Sequence, residues 1–162
     1  MIYPIVTTTF AHLFHTLVWL RPDIIAGGWR EVARISIFLR FFQSAAFVFF
    51  MWKYKSDTTW WQLKAMFILI GQALNLSVYH KLGLEGVYYG SLYNKKLKVV
   101  GDWPFNCIRD PQYIGCLLTH QGVFLFYPYV ECFLIHVYSM LWYVVAIGVE
   151  QLPQTPLKIK GI

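Results

Sequence analysis

Four apolar runs divide this chain. Ile2 to Leu20, Ile35 to Trp52, Trp60 to Tyr79 and Tyr129 to Val149 are each about 18 to 21 residues long, the length a helix needs to cross ~30 Å of hydrocarbon. A composition of 57% hydrophobic, 19% aromatic and only 14% charged residues lies outside the usual soluble range and names the same solvent, a bilayer. The first run has no basic stretch before it and no small-x-small cleavage site before Arg21-Pro22-Asp23, so it is expected to be a retained membrane helix rather than a signal peptide.

A fifth apolar segment, Tyr113 to Phe126, has 14 residues and reaches only ~21 Å as a helix. It is predicted to re-enter the membrane or to cross it where it is thin, before the Tyr127-Pro128-Tyr129 turn. The expected fold is therefore all-α and integral to the membrane: one membrane domain over residues 1–162, with four transmembrane helices plus a re-entrant or short crossing helix. Between the runs lie Arg21-Pro22-Asp23 with Gly27-Gly28, and then Lys53 to Thr59, where Ser56, Asp57, Thr58 or Thr59 is expected to cap the next helix.

The connection from His80 to Gln112 is the polar centre of the chain, with glycines at 83, 86, 90 and 101 and basic residues at 81, 95, 96, 98 and 109. Connections this long are uncommon unless they carry a function. If Tyr113 to Phe126 and Tyr129 to Val149 form a helical hairpin, Glu150 returns to the membrane face that holds Arg109. That topology gathers ten loop and tail Lys or Arg on one side against three on the other, whereas a surface-lying short helix gives eight against five. The positive-inside bias favours the hairpin.

The net charge of +6 comes from basic residues at helix ends and in loops, which suits anionic lipid head groups and not nucleic acid. Three cysteines, Cys107, Cys116 and Cys132, fall in no metal-binding or disulfide spacing and are expected to be reduced thiols. No metal site is predicted.

Polar residues recur where lipid should be. Cys132, His136, Ser139, Tyr143, Ala146 and Glu150 follow steps of three and four and so share one helical stripe. Gln72, Asn75 and Tyr79 repeat the pattern, as do Thr8, His12, His15 and Trp19. Polar groups in hydrocarbon are costly, so these stripes should face one another or a cavity. For the first-helix stripe the simpler reading is interhelical hydrogen bonding, since two histidines without a nearby carboxylate make a poor metal site.

Three segments carry a resemblance: LIGQALNLSVYHKLGLEGVYYG from Leu69 to Gly90, WPFNCIRDPQYIG from Trp103 to Gly115, and VEQLP from Val149 to Pro153. In order and spacing they resemble the phosphatidylethanolamine N-methyltransferase family within residues 69–153. They are also similar to the wider group of isoprenylcysteine carboxyl methyltransferases and sterol reductases, whose RHPxYxG motif is echoed by Arg109 to Gly115. The resemblance implies an integral membrane enzyme that transfers a methyl group from S-adenosylmethionine to the amine of a phospholipid head group. It places the family's small-residue donor motif on Gly71 to Ala73 and its paired-glutamate motif on Glu150 and Gln151.

Residue types suit that chemistry. The faces of Tyr88 and Tyr113 can hold a sulfonium cation, and Glu150 can accept from the donor's ammonium or ribose hydroxyls. Arg109, with Lys95, Lys96 or Lys98, can take a lipid phosphate. His80, His120 and Glu85 are candidate bases for the amine proton, with no choice among them from sequence.

Two positions depart from the family pattern. Ser91 stands where an acidic residue is usual, and Gln151 replaces the second glutamate. They open a second expectation, a catalytically silent relative that has lost donor binding and acts as a lipid-binding accessory subunit of a large membrane complex, for example a mitochondrial respiratory assembly. A reductase reading finds no dinucleotide fingerprint to support it. The mitochondrial inner membrane and the endoplasmic reticulum both fit as locations.

Overall fold

The computed structural model describes residues 1–25, 28–54, 58–93, 101–124, 126–127 and 129–152. Among them the regular structure is entirely helical: α1 (Ile2–Leu20), α2 (Gly28–Trp52), α3 (Trp61–Val87), α4 (Pro111–Phe124) and α5 (Val130–Glu150), with short 3₁₀ turns at Pro22–Ile24 and Gly90–Tyr93. Two of these helices, α2 and α5, are long and apolar enough to cross a membrane.

All five apolar segments become helices, α1 with the expected ends and the other four with shifted ones. α2 begins seven residues before Ile35 because its first turns are amphipathic: Val32, Ala33 and Ser36 are buried while Arg34 stays outside, and Glu31 suits the positive end of the helix. α3 continues past Tyr79 to Val87 across a kink at Gly83, whose φ of 65° and ψ of −178° lie in a region open essentially only to glycine. α4 opens on Pro111, at the first position, where a missing N–H removes no helical bond.

The expected side-chain cap of α3 is corrected. Its N-cap is Trp60, in the left-handed region with φ 61°, whose own side chain makes no capping hydrogen bond. Ser56 and Asp57 lie outside the described residues, and Thr58 and Thr59 precede the reversal at Trp60 that starts the helix.

Side-chain pairs fix the packing. Tyr3 meets Phe49, with ring centroids 6.4 Å apart, and His12 meets Arg40, so α1 and α2 form an antiparallel hairpin. α1 runs parallel to α5 through Thr9 with Tyr138, His12 with Trp142 and His15 with Glu150. α4 and α5 are antiparallel: Tyr113 sits by Glu150, Gln121 by His136, and Phe124 packs with Cys132 and Ile135. This is the hairpin that the charge distribution favours.

The α3–α4 seam is built on glycine. A Cβ on Gly71 would lie 2.5 Å from the carbonyl oxygen of Gly115, and one on Gly115 would lie 2.7 Å from the carbonyl oxygen of Gly71. Small residues let the two backbones touch, the usual way helices associate where lipid offers no hydrophobic drive.

Two apolar clusters close the ends of the bundle. Phe50, Met51, Phe124, Cys132 and Ile135 form one, and Val18, Val32, Tyr89 and Leu92 form the other. Between them the buried set includes the polar residues Thr8, His12, Ser36, Gln43 and Ser139. Outside, Phe38, Phe41, Val48, Leu69, Leu76 and Val144 are each more than 60% exposed. Polar groups inside and an apolar surface outside are the arrangement a lipid solvent selects.

Candidate functional site

The polar stripes of α1, α3 and α5 converge, with a stretch of α2, on a cavity of about 310 Å³. α1 contributes His15, and α2 contributes Ser36, Arg40 and Gln43. Gln72, Asn75 and Tyr79 enter from α3, and Tyr88 and Tyr89 from the turn beyond it. Tyr113, Cys116 and His120 come from α4, while Tyr143 and Glu150 come from α5.

Glu150 stands at the meeting point. The Tyr113 hydroxyl donates to its Oε1, and His15 Nε2 lies 3.2 Å from the same oxygen. His15 Nδ1 lies 2.9 Å from the Tyr89 hydroxyl, which in turn accepts from Ser36 Oγ at 3.4 Å. Ser36 donates to Tyr89 and His15 Nε2–H donates to the carboxylate, while the Tyr89–His15 Nδ1 link can be made with the proton on either partner. The chain thus joins α2, the turn, α1 and α5 and ends on the Glu150 carboxylate.

Tyr89 holds its place at a cost. Its φ of 60° is left-handed, a strained setting for a bulky residue, and such strain persists only where surroundings over-determine it. Here the hydroxyl is pinned by His15 and Ser36, and the ring packs on His15 and Trp19 with centroids 5.4 and 6.1 Å away. Burial pushes its phenol up to about 12.

On the other wall, Arg40 is 12 residues from either end of α2. It donates to His12 Nε2 at 3.1 Å and to Gln43 Oε1 at 2.9 Å, and Gln43 Nε2 donates onward to Thr8 Oγ1 at 3.1 Å. Because a guanidinium can only donate, His12 accepts through Nε2 and is neutral. Its ring stacks on Trp142, with centroids 5.7 Å apart and planes 16° apart.

Of the residues singled out in sequence, Tyr88, Tyr113, His120 and Glu150 line this cavity. Gly71 and Ala73 do not: Gly71 is taken up by the seam with α4 and Ala73 is exposed, while Gln72 between them faces the cavity and donates to Thr119 Oγ1 at 3.0 Å. Gln151 is exposed at the C-cap of α5. Of the three candidate bases, His80 is exposed and Glu85 half-buried, and neither lines the cavity. Lys95, Lys96 and Lys98 lie outside the described residues.

Arg109 lines a neighbouring cleft of about 180 Å³ with Ser91, Asp110, Tyr113 and Glu150. Tyr113 and Glu150 therefore form the wall shared by cleft and cavity. The segment that approaches this wall passes through a cis Trp103–Pro104 bond, and Asp102 pairs with Lys81 of α3.

Arg40, Gln43 and the site role of His15 are missed by the sequence reasoning. A signal for Arg40 was present, since an arginine among Phe38, Phe41 and Phe42 in a spanning run is a functional candidate by default. His15 looked like interhelical glue because its carboxylate partner is 135 residues away.

A family model described as phospholipid methyltransferase matches residues 61–153, which comprise α3, α4 and α5. The phosphatidyl-N-methylethanolamine N-methyltransferase of Arabidopsis thaliana is 37% identical over 82 residues, covering 51% of this chain and 43% of that protein. The protein of the same name from Saccharomyces cerevisiae is 35% identical over 69 residues, 41% of this chain and 33% of that one. The chain thus matches less than half the length of these curated relatives. No solved structure matches it. His15, Ser36, Arg40 and Gln43, on α1 and α2, lie outside the matched segment.

Proposed function

Because the chain belongs to the phospholipid methyltransferase family, we propose that it is an integral membrane enzyme that methylates the amine of a phosphatidylethanolamine-type head group. In this reading residues 1–162 form one membrane domain, α1 and α3 span the bilayer beside α2 and α5, and α4 is the short crossing helix. The exposed apolar faces then meet lipid, and the cavity opens toward the head groups at the Arg109 end.

The observation that carries the reading is Glu150, a carboxylate held by Tyr113 and His15 in a cavity walled by the rings of Tyr79, Tyr88 and Tyr113. This donor set fits a cationic methyl donor: a fixed negative charge with aromatic faces beside it. When bound, S-adenosylmethionine would supply a sulfonium methyl carbon open to in-line attack by an amine lone pair, with S-adenosylhomocysteine leaving as the neutral thioether.

The protein's work is then mostly positioning. Glu150 anchors the donor's ammonium or ribose hydroxyls, and Tyr88 and Tyr113 present ring faces to its positive sulfur. Gln72, next to Gly71 and Ala73 of the small-residue motif, offers an amide to the same space. Arg109 receives the lipid phosphate in the adjoining cleft, with Lys95, Lys96 and Lys98 as further cationic candidates from the same connection. His120 accepts the amine proton: it is the base candidate that lines the cavity, and its Nδ1 is buried without a hydrogen-bond partner among the described residues.

Calorimetric titration with S-adenosylhomocysteine tests this. Glu150→Ala is expected to abolish binding while the protein remains folded, and an unchanged affinity would remove the site assignment. Methylation of phosphatidylethanolamine by the wild type, absent from the variant, is the companion assay.

A further inference from the structure

We propose that Arg40 is an anion-binding residue of the cavity, receiving one anionic oxygen group of a bound ligand: the carboxylate of the donor's amino-acid end or the phosphodiester of a phospholipid. The proposal deepens the methyltransferase reading and rests on it for the identity of the ligands, but not for the existence of the anion site.

The argument begins with charge. Arg40 is half-buried at the middle of an apolar helix, about 18 Å from either end. A cation there is expensive unless it meets an anion or water, so such residues mark ligand or ion sites. Its described partners, His12 and Gln43, are neutral. The cavity's carboxylate, Glu150, is engaged by Tyr113 and His15.

Geometry adds to this. A guanidinium has five N–H groups, and the bonds to His12 and Gln43 both use the same terminal nitrogen, leaving Nε and the other terminal nitrogen without a partner among the described residues. Those two nitrogens form the edge that pairs side by side with a carboxylate or a phosphate. Behind them the support is buried and hydrogen-bonded: His12 and Thr8 are fully buried and Gln43 nearly so, and the His12 ring is stacked on Trp142. His12, Gln43 and Thr8 are positioning residues that hold one face of the guanidinium and leave the other to the cavity. A purely structural arginine would be expected to have its donors consumed.

The test uses the detergent-solubilised full chain, with wild type, Arg40→Gln and Arg40→Lys titrated calorimetrically against three probes. S-Adenosylhomocysteine carries the carboxylate, 5′-methylthioadenosine lacks the amino-acid end, and dihexanoyl phosphatidylethanolamine carries the phosphodiester. If the carboxylate is the anion, Arg40→Gln loses at least tenfold in affinity for S-adenosylhomocysteine and nothing for methylthioadenosine. If the phosphodiester is the anion, the loss falls on the short-chain lipid instead. Arg40→Lys, which keeps the charge and loses the planar edge, is expected between wild type and Arg40→Gln.

Folded Arg40→Gln that binds all three probes like wild type overturns the assignment. Should that variant fail to fold, Gln43→Leu keeps the arginine and removes one support; a several-fold loss for the same probe supports the site, and an unchanged affinity overturns it. Wild type that transfers no methyl group, but loses lipid affinity on Arg40→Gln, refutes the methyltransferase reading and upholds the anion site. Wild type that binds none of the probes overturns both.

Discussion

Gly71→Ala sets two effects of opposite sign against each other, and the structure decides which wins. Inside a helix, alanine is favoured over glycine by ~1 kcal/mol. At Gly71, however, the added Cβ meets the Gly115 carbonyl oxygen and Thr119 Oγ1 at 2.5 Å and the Thr119 backbone nitrogen at 2.7 Å. Unstrained contacts begin at roughly 3.5 Å, so the α3–α4 seam must open by about 1 Å. Two of the three obstructing atoms are backbone and cannot rotate away.

Overpacking of this kind costs about 1–3 kcal/mol, and a gap of up to ~1 Å forfeits a quarter to a half of the attraction along the seam. The net expectation is a loss of about 1–2 kcal/mol despite the gain in helix propensity. Gly148→Ala is the control, because nothing lies within 4 Å of its added Cβ and it should be neutral or stabilising by up to ~1 kcal/mol. The two alanine variants should therefore differ by about 1–3 kcal/mol, or roughly 2–12 °C in unfolding midpoint for a chain of this size. Thermal unfolding in one detergent, followed by circular dichroism, reads that difference. Equal midpoints would refute the glycine seam, and with it the placement of Gln72 and Asn75 on the cavity wall.

Three further substitutions separate the proposed roles. Arg109→Ala is expected to raise the apparent KM for phospholipid while leaving S-adenosylhomocysteine affinity unaltered; an unchanged lipid KM would end its assignment to the phosphate. His120→Asn should lower kcat by ~10² and retain donor-site affinity, and a loss confined to KM would argue against a base. Gly83→Ala, at φ 65° and ψ −178°, should lose about 1–3 kcal/mol to backbone strain in the same unfolding assay, although the Cβ would meet nothing within 4 Å.

Helix positions were legible because apolar length and three-four periodicity are local properties. Ile2 to Leu20 matches α1 end for end, and the α5 stripe from Cys132 to Glu150 faces inward as its steps imply. The ends of α2 and α3 were less legible, since amphipathic turns carry charges that break an apolar run without breaking a helix. The site was legible wherever its residues fell on such a stripe, as with Asn75, Tyr79, Tyr143 and Glu150. It was illegible where assembly depended on contacts between distant segments. Nothing local joins His15 to Glu150 or Ser36 to Tyr89, and Gly71 could not be identified as a seam residue without the backbone of Gly115 opposite it.

The two departures from the family pattern look different once their positions are known. Successive residues on a helix point about 100° apart, so Glu150 and Gln151 can have different surroundings. Glu150 faces it, and Gln151 is exposed beyond the helix end. Replacing that second glutamate removes a charge near the rim without removing a group from the wall. Ser91 lines the cleft of Arg109, where an acidic residue would be a competing partner for the guanidinium. With serine there, the described partner of Arg109 is Asp110 at 3.9 Å, and its side chain remains 78% exposed. An ion pair that long and that exposed holds little energy, so under the role proposed for Arg109 a lipid phosphate would displace almost nothing to bind. Both substitutions leave the carboxylate, the aromatic faces and the cleft arginine in place, so neither removes a group on which the proposed methyltransferase reading depends.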